Sequence, residues 1–222
     1  MTLEQYLEIL KPEVEKLFKG DQSGHDISHL ERTLKTALHI QSKEGGDRVV
    51  VGISAYMHDI HRVISIEGKD FASPKDSLPK AKRILKKLNL EKETLDKILE
   101  CIEYHECYNW SDPDNANRSK EVHIVQDADN LDSAGAMGVI RSFVYGTMYG
   151  IPMFDANQPL VFDKNYIEDH ITKESSLHYV YKKCSFLDKS MNTRTGKKLS
   201  KPRTKFIKKF IKQFIAEHEC KF

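Results

Sequence analysis

An all-α fold in a single domain is what this 222-residue sequence predicts, on three observations. Apolar residues recur every three to four positions along most of the chain, and helix-starting signatures stand ahead of several of those stretches. No stretch shows the strict alternation or paired turn residues of strands and hairpins. A hydrophobic share of 39% supports one sizeable core and excludes a disordered chain.

Leu3, Tyr6, Leu7, Leu10, Val14, Leu17 and Phe18 repeat with the helical period between a Thr2-x-x-Gln5 capping signature and Gly20, which predicts the first helix. Asp26 is expected to cap a second helix that carries Leu30, Leu34, Ala37 and Leu38 on one side and stops at Gly45-Gly46. His29 then falls in its first turn. Asp47 opens RVVVGISAYMHDI, whose β-branched residues suit a strand but whose continuous length favours a helix buried on most sides. Pro79 suits a first helical turn ahead of Ala81, Ile84, Leu85 and Leu88, and a further helix carries Leu95, Ile98, Leu99 and Ile102.

Residues 107–120, CYNWSDPDNANRSK, read as a loop, and loops beside a site often carry substrate contacts. A long helix is expected from Val122 to about Tyr145, apolar at Val125, Ala128, Leu131, Ala134 and Met137, with Ala134, Gly135, Ala136 and Gly138 permitting close packing. Residues 148–165 read as irregular. Helical signals return through Leu177, Val180, Tyr181, Cys184 and Leu187 and again after Pro202. In the last segment Phe206, Ile207, Phe210, Ile211, Phe214 and Ile215 form a stripe opposite Lys205, Lys208, Lys209 and Lys212, a pattern that docks on a core more often than on a membrane.

No apolar run reaches the roughly 18 residues of a membrane span, and MTLEQYLEIL lacks the basic start and apolar centre of a signal peptide. A soluble, cytoplasmic protein with no membrane partner is expected. Cys101, Cys107, Cys184 and Cys220 form no C-x-x-C pair and fit structural thiols in a reducing compartment. Residues 182–222 hold 13 Lys or Arg against 3 Asp or Glu, a charge of +10, whereas the remainder holds 22 against 30, a charge of −8. A basic segment attracts phosphates, nucleic acid or anionic lipid; its simpler reading is a solvated face balancing an acidic body.

The apolar run VGISAYMHDIHR contains His58-Asp59, and a buried carboxylate must be neutralised or partnered. Candidate partners are His29 and the acids Asp127, Asp129 and Asp132 of VQDADNLDSAGA. Two imidazoles and two carboxylates from three helices make a mixed nitrogen and oxygen site for a divalent cation. The competing reading is an ordinary hydrogen-bonded pair in the core, and spacing alone leaves both open. Neighbouring helical residues point about 100° apart, so both reach one ion only near a helix end or kink, which the polar exit His61-Arg62 allows. His25 and His29 share the H-x₃-H spacing of zinc ligands, but no CxxC pair accompanies them.

In this order His29, His58-Asp59 and Asp129 resemble the H…HD…D pattern of the HD-domain metal-dependent phosphohydrolases. The phrases GHDISHLERTLKTALHI (24–40), YMHDI (56–60) and QDADNLDSAGAMGVIRSF (126–143) resemble a single-domain bacterial branch whose members hydrolyse nucleotides. SSLHYVYKKCSFLDKSMNTRTGKKLSKPR (175–203) is similar to that branch's C-terminal helices, so the resemblance runs from about Gly24 to the C-terminal helix. It implies one HD-type helical bundle over residues 1–222, with 175–222 packed on the core as C-terminal helices. It also implies metal ligation by His29, His58, Asp59 and Asp129, the last from the A-D-x-L motif Ala128-Asp129-Asn130-Leu131. Asp127 is then expected to orient a ligand imidazole, and Asp132 to be a helix-face carboxylate or salt-bridge partner. The ligand set suits Mn²⁺ or Mg²⁺, and its paired imidazoles also accept Fe²⁺, Ni²⁺, Co²⁺ or Zn²⁺.

Two departures from the branch stand out. His105-Glu106-Cys107-Tyr108 occupies the place where many relatives have a histidine followed by Ser-Phe-Ser, and Ile60-His61-Arg62 lacks the acid that donates a proton in another branch. His105 has three functional roles open to it: donation to a scissile phosphate, protonation of a leaving group, or ligation of a second ion. Its structural role would be to finish a helix near the negative end. The resemblance implies hydrolysis of nucleoside di- or triphosphates, with pyrophosphate release as one outcome, by hydroxide formed on the ion. Asp59 and His105 are the catalytic candidates; Arg62, Lys182, Lys183 and His178 are the substrate-binding ones. The expected partner is a phosphorylated small molecule rather than nucleic acid, and a homo-oligomer is compatible with this reading. The alternative is a non-catalytic, metal-stabilised helical module that binds nucleic acid or a protein through its basic C-terminal segment.

Overall fold

The computed structural model describes residues 1–64, 72–107, 113–158, 160 and 175–221, without the side chains of 184–186 and 188. Among these residues the chain is helical and contains no strand. Helix α1 (Leu3–Leu17) starts at the Thr2 and Gln5 capping box. Helix α2 (Ile27–Glu44) starts at Asp26, whose carboxylate accepts from the His29 amide, and ends at Gly45 with φ +80, a conformation glycine adopts without steric cost. Helix α3 (Arg48–Met57) starts at Asp47, which accepts from the amides of Val49 and Val50.

The all-round apolar character of α3 follows from its position. It packs on α1 and α2 and on two later helices, α5 (Lys92–Tyr104) and α6 (Lys120–Asp132), and every residue from Val50 to Met57 is buried. Gly52 allows α1 to come close, since a Cβ there would lie 2.5 Å from Leu3 Cδ2. Past Met57 the chain tightens into a 3₁₀ stretch, His58–Val63.

Three element boundaries differ from the sequence expectation. Helix α4 (Pro74–Leu85) begins five residues ahead of Pro79, at a Ser73 and Asp76 capping box, so Pro79 lies inside it. Helix α9 (Arg194–His218) likewise begins at the Thr193 cap and runs through Pro202. Both prolines are exposed, as are Lys75 and Lys198 four residues before them, so water can satisfy the carbonyls that lose a helical donor. The long helix expected from Val122 to about Tyr145 is two helices, α6 and α7 (Gly135–Met148), broken at Ser133-Ala134 by Gly135 with φ +72. A Cβ on Gly138 would lie 2.2 Å from the Ser133 backbone. The small residues therefore serve a tight corner.

Of the loop expected at 107–120, residues 108–112 lie outside the described residues, and Pro113–Asn117 forms a short 3₁₀ turn. Residues 149–158 are irregular, as expected; residues 159 and 161–165 of that stretch lie outside the described residues. Helix α8 (Ser176–Ser190) and α9 pack on each other and on α7, and α9 also reaches α6. Ile207 and Ile211 of α9 enter the core, Phe210, Phe214 and Ile215 pack against it, and Phe206 stays 43% exposed. The apolar stripe of the basic tail thus docks on the core. No helix of the described residues is long and apolar enough to cross a membrane.

Candidate metal centre

The start of α2, the end of α3 and one face of α6 meet, and each brings a candidate ligand to the junction. Capping by Asp26 places His29 in the first turn of α2, fully buried. The change from α-helix to 3₁₀ at His58 is the kink that lets consecutive residues face one point, with His58 Nε2 and Asp59 Oδ2 3.5 Å apart. His29 Nε2 lies 3.2 Å from His58 Nε2, 3.2 Å from Asp59 Oδ2 and 3.5 Å from Asp129 Oδ1. His58 Nε2 lies 3.7 Å from Asp129 Oδ1. All four side chains predicted as metal ligands therefore converge.

Hydrogen bonds on the far sides of the rings define what converges. His29 Nδ1 donates to Asp132 Oδ2 over 2.7 Å, and His58 Nδ1 donates to the Ala55 carbonyl over 2.9 Å. Each bond fixes its tautomer, leaving a lone pair on both inward-facing Nε2 atoms. Four acceptors then point at one another, an arrangement that needs a cation or an extra proton. Ligands about 2.1 Å from a shared ion lie about 3 to 3.5 Å apart, so the residues fit a divalent metal. Without one, a proton serves: burial works against charging His58, but Asp59 and Asp129 overcome it and raise the imidazole to about 9. Burial also opposes ionisation of Asp59 and Asp129, yet the neighbouring imidazoles hold both carboxyls well below the usual carboxylate range.

Asp132 is the salt-bridge partner expected of it, and it also takes the imidazole-orienting role expected of Asp127. Asp132 orients the His29 ring and is itself held by Arg32, whose Nε and Nη2 donate over 2.8 and 2.9 Å, and by Arg141 Nη1 over 3.1 Å. Asp127, buried on another side of α6, accepts from the amides of Asn192 and Thr193 and from the Thr193 hydroxyl, at 2.7 to 2.8 Å. It anchors the start of α9.

Of the other predicted residues, the structure brings two to the centre. His105, buried at the end of α5, donates Nδ1–H to the Ile102 carbonyl over 2.8 Å and faces Asp59 Oδ1 with Nε2 at 3.6 Å. Arg62 pairs with Glu106 and places Nε 3.7 Å from Asp59 Oδ1. The contacts of His178 and Lys183 lead elsewhere. His178 bonds Ser175 Oγ and the Gln158 carbonyl and stacks on Phe154, while Lys183, next to Lys182 on α8, donates to the Tyr179 hydroxyl over 3.4 Å.

Sequence reasoning missed His25, Arg141, His61 and Glu106. His25 precedes α2 and has its Nδ1 2.7 Å from Asp59 Oδ2, with burial pulling the imidazole down to about 4 against the attraction of that carboxylate. It is therefore a neutral donor to Asp59 at neutral pH. Its H-x₃-H spacing with His29 was the available signal, although it is the second histidine of the pair whose Nε2 faces His58 and Asp129. Arg141 Nε donates to the Gly24 carbonyl over 2.6 Å, tying the His25 loop to Asp132.

Residues 26–134 match the family described as HD domain. YpgQ of Bacillus subtilis is 26% identical over 194 residues, spanning 87% of this chain and 84% of its own. An HD-superfamily hydrolase from Bacillus thuringiensis is 29% identical, with 98% of this chain and 99% of the other covered and a TM-score of 0.71. The crystal structure of Bacillus subtilis YpgQ in complex with ADP, 24% identical, covers 98% and 97% of the two chains at a TM-score of 0.71 and shares the fold. With His29, His58, Asp59 and Asp129 inside the matched residues, this chain contains an HD domain, and it shares its fold from end to end with an HD-superfamily hydrolase.

Proposed function

We propose that the chain is a divalent-metal-dependent phosphohydrolase acting on nucleoside di- or triphosphates. The observation that carries this reading is the convergence of His29 Nε2, His58 Nε2, Asp59 Oδ2 and Asp129 Oδ1, with both imidazole tautomers fixed from behind. A divalent ion bound there supplies Lewis acidity toward phosphoryl oxygens and brings the pKa of water toward roughly 7. His29, His58, Asp59 and Asp129 would hold it, and Asp132 and the Ala55 carbonyl keep the imidazoles aimed. Arg62 is the nearby cation for a phosphate, and His105 stands behind Asp59, within reach as a proton carrier. The nucleotide as substrate is supported by the ADP complex of Bacillus subtilis YpgQ, which covers nearly the whole chain.

The test is release of phosphate and pyrophosphate from a panel of nucleotides by metal-free protein reloaded with Mn²⁺, Mg²⁺, Co²⁺, Ni²⁺, Fe²⁺ or Zn²⁺. Turnover that requires the metal and disappears in Asp59→Ala is the expected result. Full-rate activity in Asp59→Ala, or no turnover of any nucleotide with any of these ions, overturns the proposal. In the second case, a melting temperature that still falls with a chelator would assign the centre a structural role.

A further inference from the structure

One face of α7 leads outward from the ligand cluster in steps of one helical turn, through Arg141, Tyr145 and the capping residue Tyr149. Arg141 donates to Asp132, the carboxylate behind His29, and to the Gly24 carbonyl just ahead of His25. One turn on, the Tyr145 ring meets the His25 ring edge-on, with centroids 6.3 Å apart and planes at 76°. His25 in turn bonds Asp59 Oδ2 over 2.7 Å. A further turn on, the Tyr149 ring lies 4.4 Å from that of Tyr145, tilted by 36°. Tyr149 is 49% exposed, and the bonds that close α7 fix its backbone: its amide donates to the Tyr145 carbonyl, and the Ile151 amide donates to Gly146.

This face borders the open side of the cluster. The side chains of His29 and His58 are fully buried, whereas those of Asp129, His25 and Arg62 are 15%, 20% and 22% exposed. A ligand therefore reaches the cluster past Asp129, His25 and Arg62. Tyr145 stands on the same side as Arg62: burial opposes the guanidinium charge, while Glu106, Asp59, Asp129 and Tyr145 favour it. Polar groups alone would serve an inorganic phosphate at this mouth. Two neighbouring aromatic rings, the outer one half exposed, add an apolar face that a phosphate cannot use. Aromatic rings beside cationic groups are the combination that holds the base and the phosphate of one nucleotide together. Each step of four residues advances about 6 Å along the helix axis, of the order that a pentose puts between a phosphate and a base.

We infer that Tyr145 and Tyr149 form the platform on which the base of the substrate stacks, with its phosphates directed past His25 toward Arg62 and the ligand cluster. The inference rests on the nucleotide reading above and names the groups that grip the nucleotide away from its phosphates. Tyr149, its ring turned half to solvent, supplies the contact face; Tyr145 backs it and is braced by His25. Every base presents a π-face, so the platform takes purine and pyrimidine nucleotides alike and disfavours phosphorylated molecules that lack a base. Stacking far from the bond that breaks is equal in the ground and transition states. It therefore lowers KM and leaves kcat nearly unchanged.

Calorimetry on the full chain loaded with Mn²⁺, titrated with α,β-methylene-ADP and with its base-free counterpart methylenediphosphonate, tests this without turnover. Wild type is expected to bind the nucleotide analogue more tightly than the diphosphonate. Tyr149→Ala should weaken the analogue by roughly 5- to 100-fold, the usual worth of one stacked base. Tyr149→Phe and Tyr149→Trp keep an aromatic face and should stay within about threefold of wild type. Methylenediphosphonate should bind every variant alike. Tyr145→Ala, with its folding checked by circular dichroism, should show the same split; if it fails to fold, the Tyr149 series decides. A wild type that binds the analogue no more tightly than the diphosphonate overturns the inference, as does an analogue affinity unchanged in Tyr149→Ala. Equal loss of both probes in Tyr149→Ala also overturns it, assigning the tyrosine to the shape of the metal centre. Nucleotides hydrolysed by Tyr149→Ala at the wild-type KM would sink the platform and leave the phosphohydrolase standing. A base-dependent affinity that Tyr149→Ala removes, with no nucleotide turned over by wild type, would do the reverse.

Discussion

His29 Nδ1 donates to Asp132 Oδ2 over 2.7 Å, across a sequence separation of 103 residues. This bond joins α2 to α6 and decides which ring nitrogen of His29 faces inward. Asp132 holds its own position through the paired bonds from Arg32 and the contact from Arg141.

Removing that orienting carboxylate should weaken the metal more than the fold. Asp132→Ala is expected to lower metal affinity by roughly 10- to 100-fold, the usual effect of losing a carboxylate behind a ligand histidine. Asp132→Asn keeps an acceptor oxygen and should lose less. Calorimetric titration of the metal-free proteins with Mn²⁺ checks both; an unchanged affinity in Asp132→Ala would mean that the tautomer of His29 is fixed by something else.

The histidines make the metal-free protein pH-sensitive in two opposite directions. His58 is raised to about 9, so its contribution to stability is complete below its unfolded value near 6.5 and is lost as pH rises toward 9. His25 is lowered to about 4, so its contribution is present above about 6.5 and is lost as pH falls toward 4. Thermal melts in a chelator should therefore peak near neutral or slightly acidic pH and decline on both sides. Saturating metal must displace the His58 proton, so its affinity should climb with pH up to about 9, and calorimetry at pH 7 in buffers of different ionisation enthalpy should register proton release.

The sequence held the four proposed metal ligands but not their surroundings, for geometric reasons. His58-Asp59 at the end of an apolar run shows in one dimension because it breaks the composition of a helix buried on all sides. Asp127 and Asp132 do not separate that way. Five residues apart on α6 they point about 140° from each other, and only the positions of α2 and α9 decide which one meets His29. The pairing of Arg62 with Glu106 spans 44 residues and depends on how the end of α5 meets the 3₁₀ stretch after α3. The corner between α6 and α7 was hidden because a run of Ala and Gly reads equally as a close-packed helix; φ +72 at Gly135 and the contact of Gly138 with Ser133 are tertiary facts.

The different surroundings of the two acids predict contrasting mutants. Asp127→Ala leaves the buried amide and hydroxyl of Thr193 and the partly buried Asn192 amide without their acceptor, and at roughly 1 to 3 kcal/mol per orphaned buried group the loss should reach about 3 kcal/mol. Urea denaturation should show that loss, while calorimetry on the folded fraction should find metal affinity close to wild type. A variant that unfolds no more easily, or one that loses metal as Asp132→Ala does, would contradict the assignment of Asp127 to the start of α9.

The same contrast applies within α9. Ile207 is 2% exposed and Phe206 43% exposed, although they are adjacent in one apolar stripe. Ile207→Ala empties a core position and should cost roughly 2 to 5 kcal/mol, whereas Phe206→Ala, largely on the surface, should cost less than about 1 kcal/mol. Replacing the lysines Lys205, Lys208, Lys209 and Lys212 together by Gln should leave stability and nucleotide turnover near wild type, because they lie on the solvent side of a docked helix. Urea melts give the first two values, and filter binding to RNA and sedimentation with anionic vesicles test the third. A four-lysine variant that stayed stable and active but lost a measurable nucleic-acid or lipid affinity of the wild type would mean that the basic face of α9 binds a partner of its own.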